Sequence, residues 1–320
     1  MSTFNKVFTP FFSIVIPAYN AGITIENTFQ SVLAQDFPDY EIVVVNDGST
    51  DNTGDLADMF AQQNAQVRAI HQENGGSGAA INSGINASLG RYVCICSSDD
   101  KLSSDCLQVQ YQAIVQHPDF QLFTTAGYHF NVEEGWEKSF FDTREWKYSH
   151  EITLERLLEL RFFGSGIVFD REAALAAGGY AVSVYAEDFD FYLRMLLQGN
   201  RMWFTNMKCV YQQVSMTQKS ANAALIKESV LTSIDTALAC DSLDDGQREA
   251  LIRGRQKAEE HLSINEGMLA QKMKLDRVIE WLPGKRLQVS ALKATRALSP
   301  IVRPVRRVIA GRGYREDSGG

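Results

Sequence analysis

The sequence predicts an α/β fold with a mainly parallel central sheet in its first half and a helical region toward its C-terminal end. Three observations carry this. Short β-branched apolar runs recur at 11–16, 41–45, 67–70 and 92–96, and they are continuous rather than alternating, as strands buried on both faces are. Segments of helical period separate them. Turn residues and acids gather where the runs end.

Taken in order, the first strand, 11–16, closes at Pro17. A helix is expected over 22–34, with Ile25, Phe29, Val32 and Leu33 on one face. The second strand, 41–45, runs into Asn46-Asp47-Gly48-Ser49, and a helix opens near Ser49 or Thr50, where hydroxyl and carboxylate caps precede Leu56, Met59 and Phe60. A third strand at 67–70, a Gly/Ser-rich loop at 75–78, a helix at 79–88 and a fourth strand at 92–96 follow. Beyond Asp100 the pattern gives a helix near 104–116, a strand at 120–125 and a hairpin or loop excursion over 133–150. A short helix at 153–160 and an irregular strand at 164–169 come next. The helix 171–177 stops at Gly178-Gly179, where glycine supplies the positive φ of a C-cap. A helix at 187–198 and a strand at 201–211 close the α/β part. Helical periodicity then continues over 221–240 and 246–280, as far as Pro283-Gly284. The expected organisation is an α/β domain at 1–215, a helical region at 216–310 and a disordered tail at 311–320.

Composition narrows the function. With 45% hydrophobic and 22% charged residues over 320 positions, a sizeable core can be buried and global disorder is excluded. No run approaches the roughly 18 apolar residues of a spanning helix. Met1 to Pro10 lacks the apolar stretch of a secretory leader, so a cytoplasmic protein is expected. The five cysteines (Cys94, Cys96, Cys106, Cys209, Cys240) have no C-x-x-C spacing and read as buried free thiols. The five histidines form no H-x-x-x-H pair, which argues against zinc. A net charge of -8 argues against nucleic acid as a partner. Yet Lys285 to Asp317 holds nine Lys/Arg against two acids, interleaved with Leu, Val and Ile. Two readings fit that segment: peripheral contact with anionic headgroups on the inner face of a membrane, or a helix packed on the body with its basic side solvated.

The chemistry-bearing acids sit where strands end. Asp47 closes the second strand, Asp99 and Asp100 follow the fourth, and Glu187-Asp188 open a late helix. In open α/β sheets that edge collects ligands, because its loops converge on one crevice. Carboxylates there can hold a hard divalent cation or act as a general base. Single acids at such places also serve as N-caps or solvated loop residues. Gly75-Gly76-Ser77-Gly78 lacks the spacing and lysine of a P-loop, and no G-x-G-x-x-G follows the first strand.

These residues carry a resemblance. Ser13-Ile14-Val15-Ile16-Pro17-Ala18-Tyr19-Asn20, then Glu41 through Asp51, closely resembles the start of inverting family 2 glycosyltransferases of the GT-A fold. Glu73-Asn74-Gly75-Gly76 leading to Asn82 and Gly84, Gly90-Arg91-Tyr92 leading to Asp99-Asp100, and Gly178-Gly179-Tyr180 leading to Glu187-Asp188 continue it in order across about 11–212. The resemblance implies transfer of a sugar from a nucleotide diphosphate sugar to a hydroxyl of a saccharide or lipid-linked saccharide acceptor, with inversion. Its setting would be surface polysaccharide, lipopolysaccharide or glycolipid assembly. It implies that Pro17, Tyr19, Asn20, Asp47 and Asn82 take the nucleotide, with Tyr19 stacking on the base and Asp47 accepting its N–H. Asp99, with Asp100 beside it, would hold Mn2+ or Mg2+. Asp188 would be the general base and Glu187 the acid that orients it.

Three positions depart from the family pattern. Ser97 stands where most relatives have the first acid of a D-x-D element, Ile81 replaces a common arginine, and Val214 a common histidine. These leave open a non-catalytic nucleotide-sugar-binding member of the same fold. A nucleotidyltransferase is a further alternative, but Pro17-Ala18-Tyr19-Asn20 is not the basic Gly-rich loop it needs. Trp136, Trp146 and Trp203 are candidates to line an acceptor site or to pack.

Overall fold

The computed structural model describes residues 9–131, 136–140, 146–159, 164–214 and 222–260. The chain divides into two compact units, Met1–Glu259 and Glu260–Gly320, and the fold described is that of the first. Of the expected helical region, Ala223–Leu238 and a helix from 245 to 260 are described. The remainder of that region, the basic segment from Lys285 and the tail at 311–320 lie outside the described residues.

The β-branched runs become parallel strands. β1 (Phe12–Ala18) lies between β2 (Tyr40–Asp47) and β4 (Tyr92–Ile95), and β3 (Val67–Gln72) adds to the outer side of β2, all parallel. β2 is buried along its whole length because helices cover both faces. On one face α1 (Ile25–Leu33) brings Ile25, Phe29 and Val32 against Ile14 and Ile16, side chains whose burial contributes about 1.5–3 kcal/mol each. On the other, α3 (Ser77–Ala87) crosses β1 so closely that a Cβ on Gly84 would stand 2.2 Å from Val15 Cγ1. No larger residue fits that crossing without displacing β1.

Past β4 the sheet becomes mixed, its strands interspersed with α4 (Cys106–Gln116) and α5 (Leu154–Glu159). Strand β9 (Val168–Asp170) inserts antiparallel between β4 and β6 (Leu122–Asn131), while β10 (Met202–Gln213) pairs parallel with β6. Two-residue β5 (Lys101–Leu102) caps the edge of β10, and β7 (Trp136–Phe140) extends β6 as a hairpin partner. The expected parallel strands make up the first half of the sheet, and β5, β7, β8 (His150–Ile152, beside β10) and β9, which leads into α6 (Arg171–Ala176), join the second half antiparallel.

One helix starts later than the sequence suggests. The residues at Ser49 and Thr50 are spent on the neighbouring loop, Asn20 N–H donating to Ser49 Oγ and Thr50 N–H to Asn20 Oδ1, while Asp51 serves both sides, its Oδ2 accepting from Gly22 N–H and its Oδ1 from Thr53 N–H at 3.0 Å. Helix α2 therefore begins at Thr53. Of the five thiols, four are buried, whereas Cys240 is exposed. Among the described residues no helix is long and apolar enough to cross a membrane.

Candidate active site at the carboxyl rim of the sheet

The strand order β3-β2-β1-β4 places the end of β1 between those of β2 and β4. The crevice at that reversal is where an open α/β sheet receives its ligand. Tyr19, just beyond β1, is 51% exposed, so its ring face is available to an aromatic base. Asn20 beside it takes a left-handed φ of 49°, a conformation asparagine tolerates better than most residues. Its side chain accepts from Thr50 N–H at 2.8 Å, which stitches the first loop to the second. Pro17 is half-buried in register with Val45.

Asp47 forms the floor of this half. It is 2% exposed, and its carboxylate gathers the loop ahead of α3: Oδ1 accepts from Gln72 Nε2 at 2.7 Å and Gly75 N–H at 2.9 Å, and Oδ2 accepts from Gly76 N–H at 2.9 Å. Gly76 does this at φ 83°, which favours glycine. A carboxylate offers about four lone-pair sites, so Oδ2 retains capacity for a further N–H.

The acidic turn after β4 runs from Ser97 to Asp100, closed by Asp100 N–H to the Ser97 carbonyl at 3.0 Å. Its two acids differ. Asp99 is half-buried, whereas Asp100 is buried and spends both oxygens, accepting from Gln213 N–H at 2.8 Å and from Ser165 Oγ at 2.5 Å. Burial, and next the charge of Asp99, pushes the Asp100 carboxyl up to about 8. Among the described residues no group of three or more His, Cys, Asp or Glu side chains is arranged to hold a metal ion. This donor set fits a hard cation held through one or two carboxylates and the phosphates of a ligand, as magnesium-type ions often are. It does not fit an all-protein cage.

The third group comes from α7 (Glu187–Leu197). Glu187 is buried and Asp188 half-buried in its first turn, where the positive end of the helix dipole favours acids by about 0.3–1 kcal/mol each. Arg194, two turns along, accounts for the third acid of that turn by pairing with Asp190 at 2.8 Å, and it also donates to the carbonyls of Ala177 and Gly179. Tyr180 and Tyr192 are buried beside this turn. Burial, then the charge of Asp188, holds the Tyr180 phenol well above the ordinary tyrosine range.

These parts meet. Asn82 on α3 donates to the Tyr180 carbonyl and accepts its N–H, both at 2.8 Å. A cavity of about 310 Å³ lies between Gly76–Gly78 and Ala181–Tyr185. Gly76 touches Asp47 on one side of it, and Tyr185 lies two residues before Glu187 on the other. β2 and β4 thus end their acids on the same edge of the sheet, and the cavity brings the loop gathered by Asp47 to the approach of α7.

Sequence reasoning missed Ser165, Gln213 and Gln72. The first two meet Asp100 from 65 and 113 residues away, and no local spacing signals such a contact. Two of the tryptophans are packing residues. Trp146 is 4% exposed against Phe204, and Trp203 stacks on His117 at 3.6 Å near the start of β10, opposite the rim. The side chain of Trp136 lies outside the described residues.

Comparison with known proteins agrees with this layout. The sequence profile of the family described as Glycosyl transferase family 2 matches residues 13–176. "Glycosyltransferase GlyG" of Streptococcus pneumoniae serotype 4 is 37% identical over 124 residues, 38% of this chain and 41% of that protein. The "Putative teichuronic acid biosynthesis glycosyltransferase TuaG" of Bacillus subtilis is 34% identical over 127 residues, 39% of this chain and 50% of that protein. The matched stretch thus spans half or less of either relative. Among solved structures, S. aureus TarS 1-349 in complex with UDP-GlcNAc superposes with a TM-score of 0.67 at 19% identity, covering 94% of this chain and 87% of that one. The mannosyltransferase PcManGT from Pyrobaculum calidifontis, in complex with GDP-Man and Mn2+, gives 0.62 at 18%, covering 96% and 86%. At such identities the likeness shows the fold, a GT-A-type α/β sheet.

Proposed function

The chain belongs to glycosyl transferase family 2, and on that premise we propose that it moves a glycosyl residue from a nucleotide diphosphate sugar to a hydroxyl of a saccharide or lipid-linked acceptor, with inversion. What supports this most is that Asp47 and the Ser97–Asp100 turn follow the strands on either side of β1, while the loop gathered by Asp47 shares a cavity with the residues that lead into Glu187-Asp188. In this reading residues 1–215 carry the chemistry, 216–310 form a helical region ahead of the tail at 311–320, and the basic segment from Lys285 gives peripheral contact with an anionic membrane surface. The relative named for teichuronic acid biosynthesis favours surface-polysaccharide assembly as the setting.

The roles follow from chemistry. Tyr19 stacks on the base, Asp47 accepts a base N–H, and Pro17, Asn20 and Asn82 shape that half. Asp99, with Asp100 beside it in the turn, would hold a divalent cation, Mn2+ or Mg2+, which when bound supplies charge for the departing nucleoside diphosphate. Asp188 accepts the proton of the acceptor hydroxyl as its oxygen attacks the anomeric carbon. An alcohol is too weak an acid to attack without a carboxylate within hydrogen-bond reach. Glu187, buried beside it, orients that carboxylate. One in-line displacement inverts the centre.

A thermal-shift screen of UDP-, GDP- and dTDP-sugars with Mn2+ tests the reading, because a ligand bound by the native state alone raises the melting temperature. The expected result is stabilisation by one base class, with release of the matching nucleoside diphosphate. Stabilisation without release in the presence of candidate acceptors would favour the non-catalytic alternative that Ser97, Ile81 and Val214 leave open.

A further inference from the structure

We infer that Ser165 is the positioning residue of the acidic turn: it fixes Asp100 as an internal anchor and so sets the backbone from which Asp99 reaches the cation. The inference rests on the transferase reading and assigns a division of labour within its metal site.

The hydroxyl of Ser165 bridges both ends of the turn. It accepts from Ser97 N–H at 2.8 Å and donates to Asp100 Oδ2 at 2.5 Å, and the residue is 5% exposed. The other oxygen of Asp100 is held by Gln213 N–H, and the Asp100 carbonyl accepts from Thr28 Oγ1 at 2.8 Å. Asp100 is therefore fixed from three elements and committed inward. Ser165 is itself fixed by its neighbour: Gly166 N–H donates to the Ile95 carbonyl at 2.7 Å, and fully buried Gln110 donates to the Gly166 carbonyl at 2.9 Å. A rigid segment thus presents one hydroxyl to a four-residue turn and sets the direction in which Asp99, between the two anchor points, leaves it. The position of Ser97 gives this weight. With a serine at the head of the turn, no second carboxylate there can compensate for a misdirected Asp99.

Removing the hydroxyl orphans the Ser97 N–H and a carboxylate oxygen together, and the turn relaxes. Partners that orient metal ligands typically change metal affinity by about 10- to 100-fold when lost. The test is a titration of Mn2+ into the protein holding UDP or GDP, with free Mn2+ read by electron paramagnetic resonance, alongside binding of the same nucleotide in EDTA. Ser165→Ala is expected to weaken Mn2+ binding by about 10- to 100-fold and to leave metal-free nucleotide binding unchanged. Ser165→Thr, which keeps the hydroxyl, restores Mn2+ binding. Ser165→Cys, similar in size but a weak donor, shows the same loss and serves if the alanine variant does not fold. Wild-type Mn2+ affinity in Ser165→Ala overturns the inference, as does an equal loss of metal-free nucleotide binding, which marks a purely structural role. Absence of Mn2+ binding by the wild-type protein with either nucleotide removes the transferase metal site itself, and the inference with it.

Discussion

Asn82 and Tyr180, 98 residues apart, hold each other through two reciprocal hydrogen bonds of 2.8 Å, amide to carbonyl and backbone N–H to amide oxygen. Through this pair α3, whose first turn follows the loop gathered by Asp47, is fastened to the turn that leads into Glu187 and Asp188. Asn82→Ala leaves a backbone donor and acceptor unpaired and should cost about 1–3 kcal/mol of stability by urea denaturation. Turnover should fall further than donor affinity, because the base side loses its register with the donor side. A variant that lost donor affinity alone would place Asn82 on the nucleotide instead.

Asp47 accepts from three donors at once. Asp47→Asn keeps the shape but offers one acceptor oxygen, and its amide confronts backbone N–H groups. Hydrogen bonds to charged groups contribute about 1.5–3 kcal/mol each, so a lowered denaturation midpoint is expected together with weaker nucleotide binding by calorimetry. Unchanged binding would remove Asp47 from the base pocket.

Asp100 makes stability depend on pH when no metal is present. Its carboxyl is held at about 8 in the folded chain against an ordinary 3.8. Between those values the folded state holds more protons than the unfolded state, so stability falls as pH rises through that window. In EDTA the wild-type denaturation midpoint should drop between pH 5 and pH 8 more steeply than that of Asp100→Asn, which cannot titrate. Parallel profiles would contradict the assignment.

The sheet was legible because its strands are buried on both faces, and burial writes itself as unbroken runs such as Ile42 to Val45. Helix faces were equally clear, as with Ile25, Phe29 and Val32. Side-chain commitments were not. Ser49 and Thr50 look like helix caps in sequence, yet they bind Asn20, and only the three-dimensional approach of two loops decides between those uses. The same holds for Asp100, which reads as a twin of Asp99 and differs because Ser165, in the turn before β9, and Gln213, on β10, reach it from far along the chain. Strand β9 was hard to read because three residues carry too little pattern to reveal their direction.

The division of labour at the rim is tested most directly by comparing wild-type protein with Asp188→Asn for donor affinity and for acceptor-dependent nucleoside diphosphate release from the stabilising sugar donor. Equal affinities with release slowed by about 100- to 10,000-fold, the range a positioned general base supplies, is the predicted result. Release at the wild-type rate, or loss of donor affinity with the chemical step intact, would contradict the assignment of Asp188 as the base.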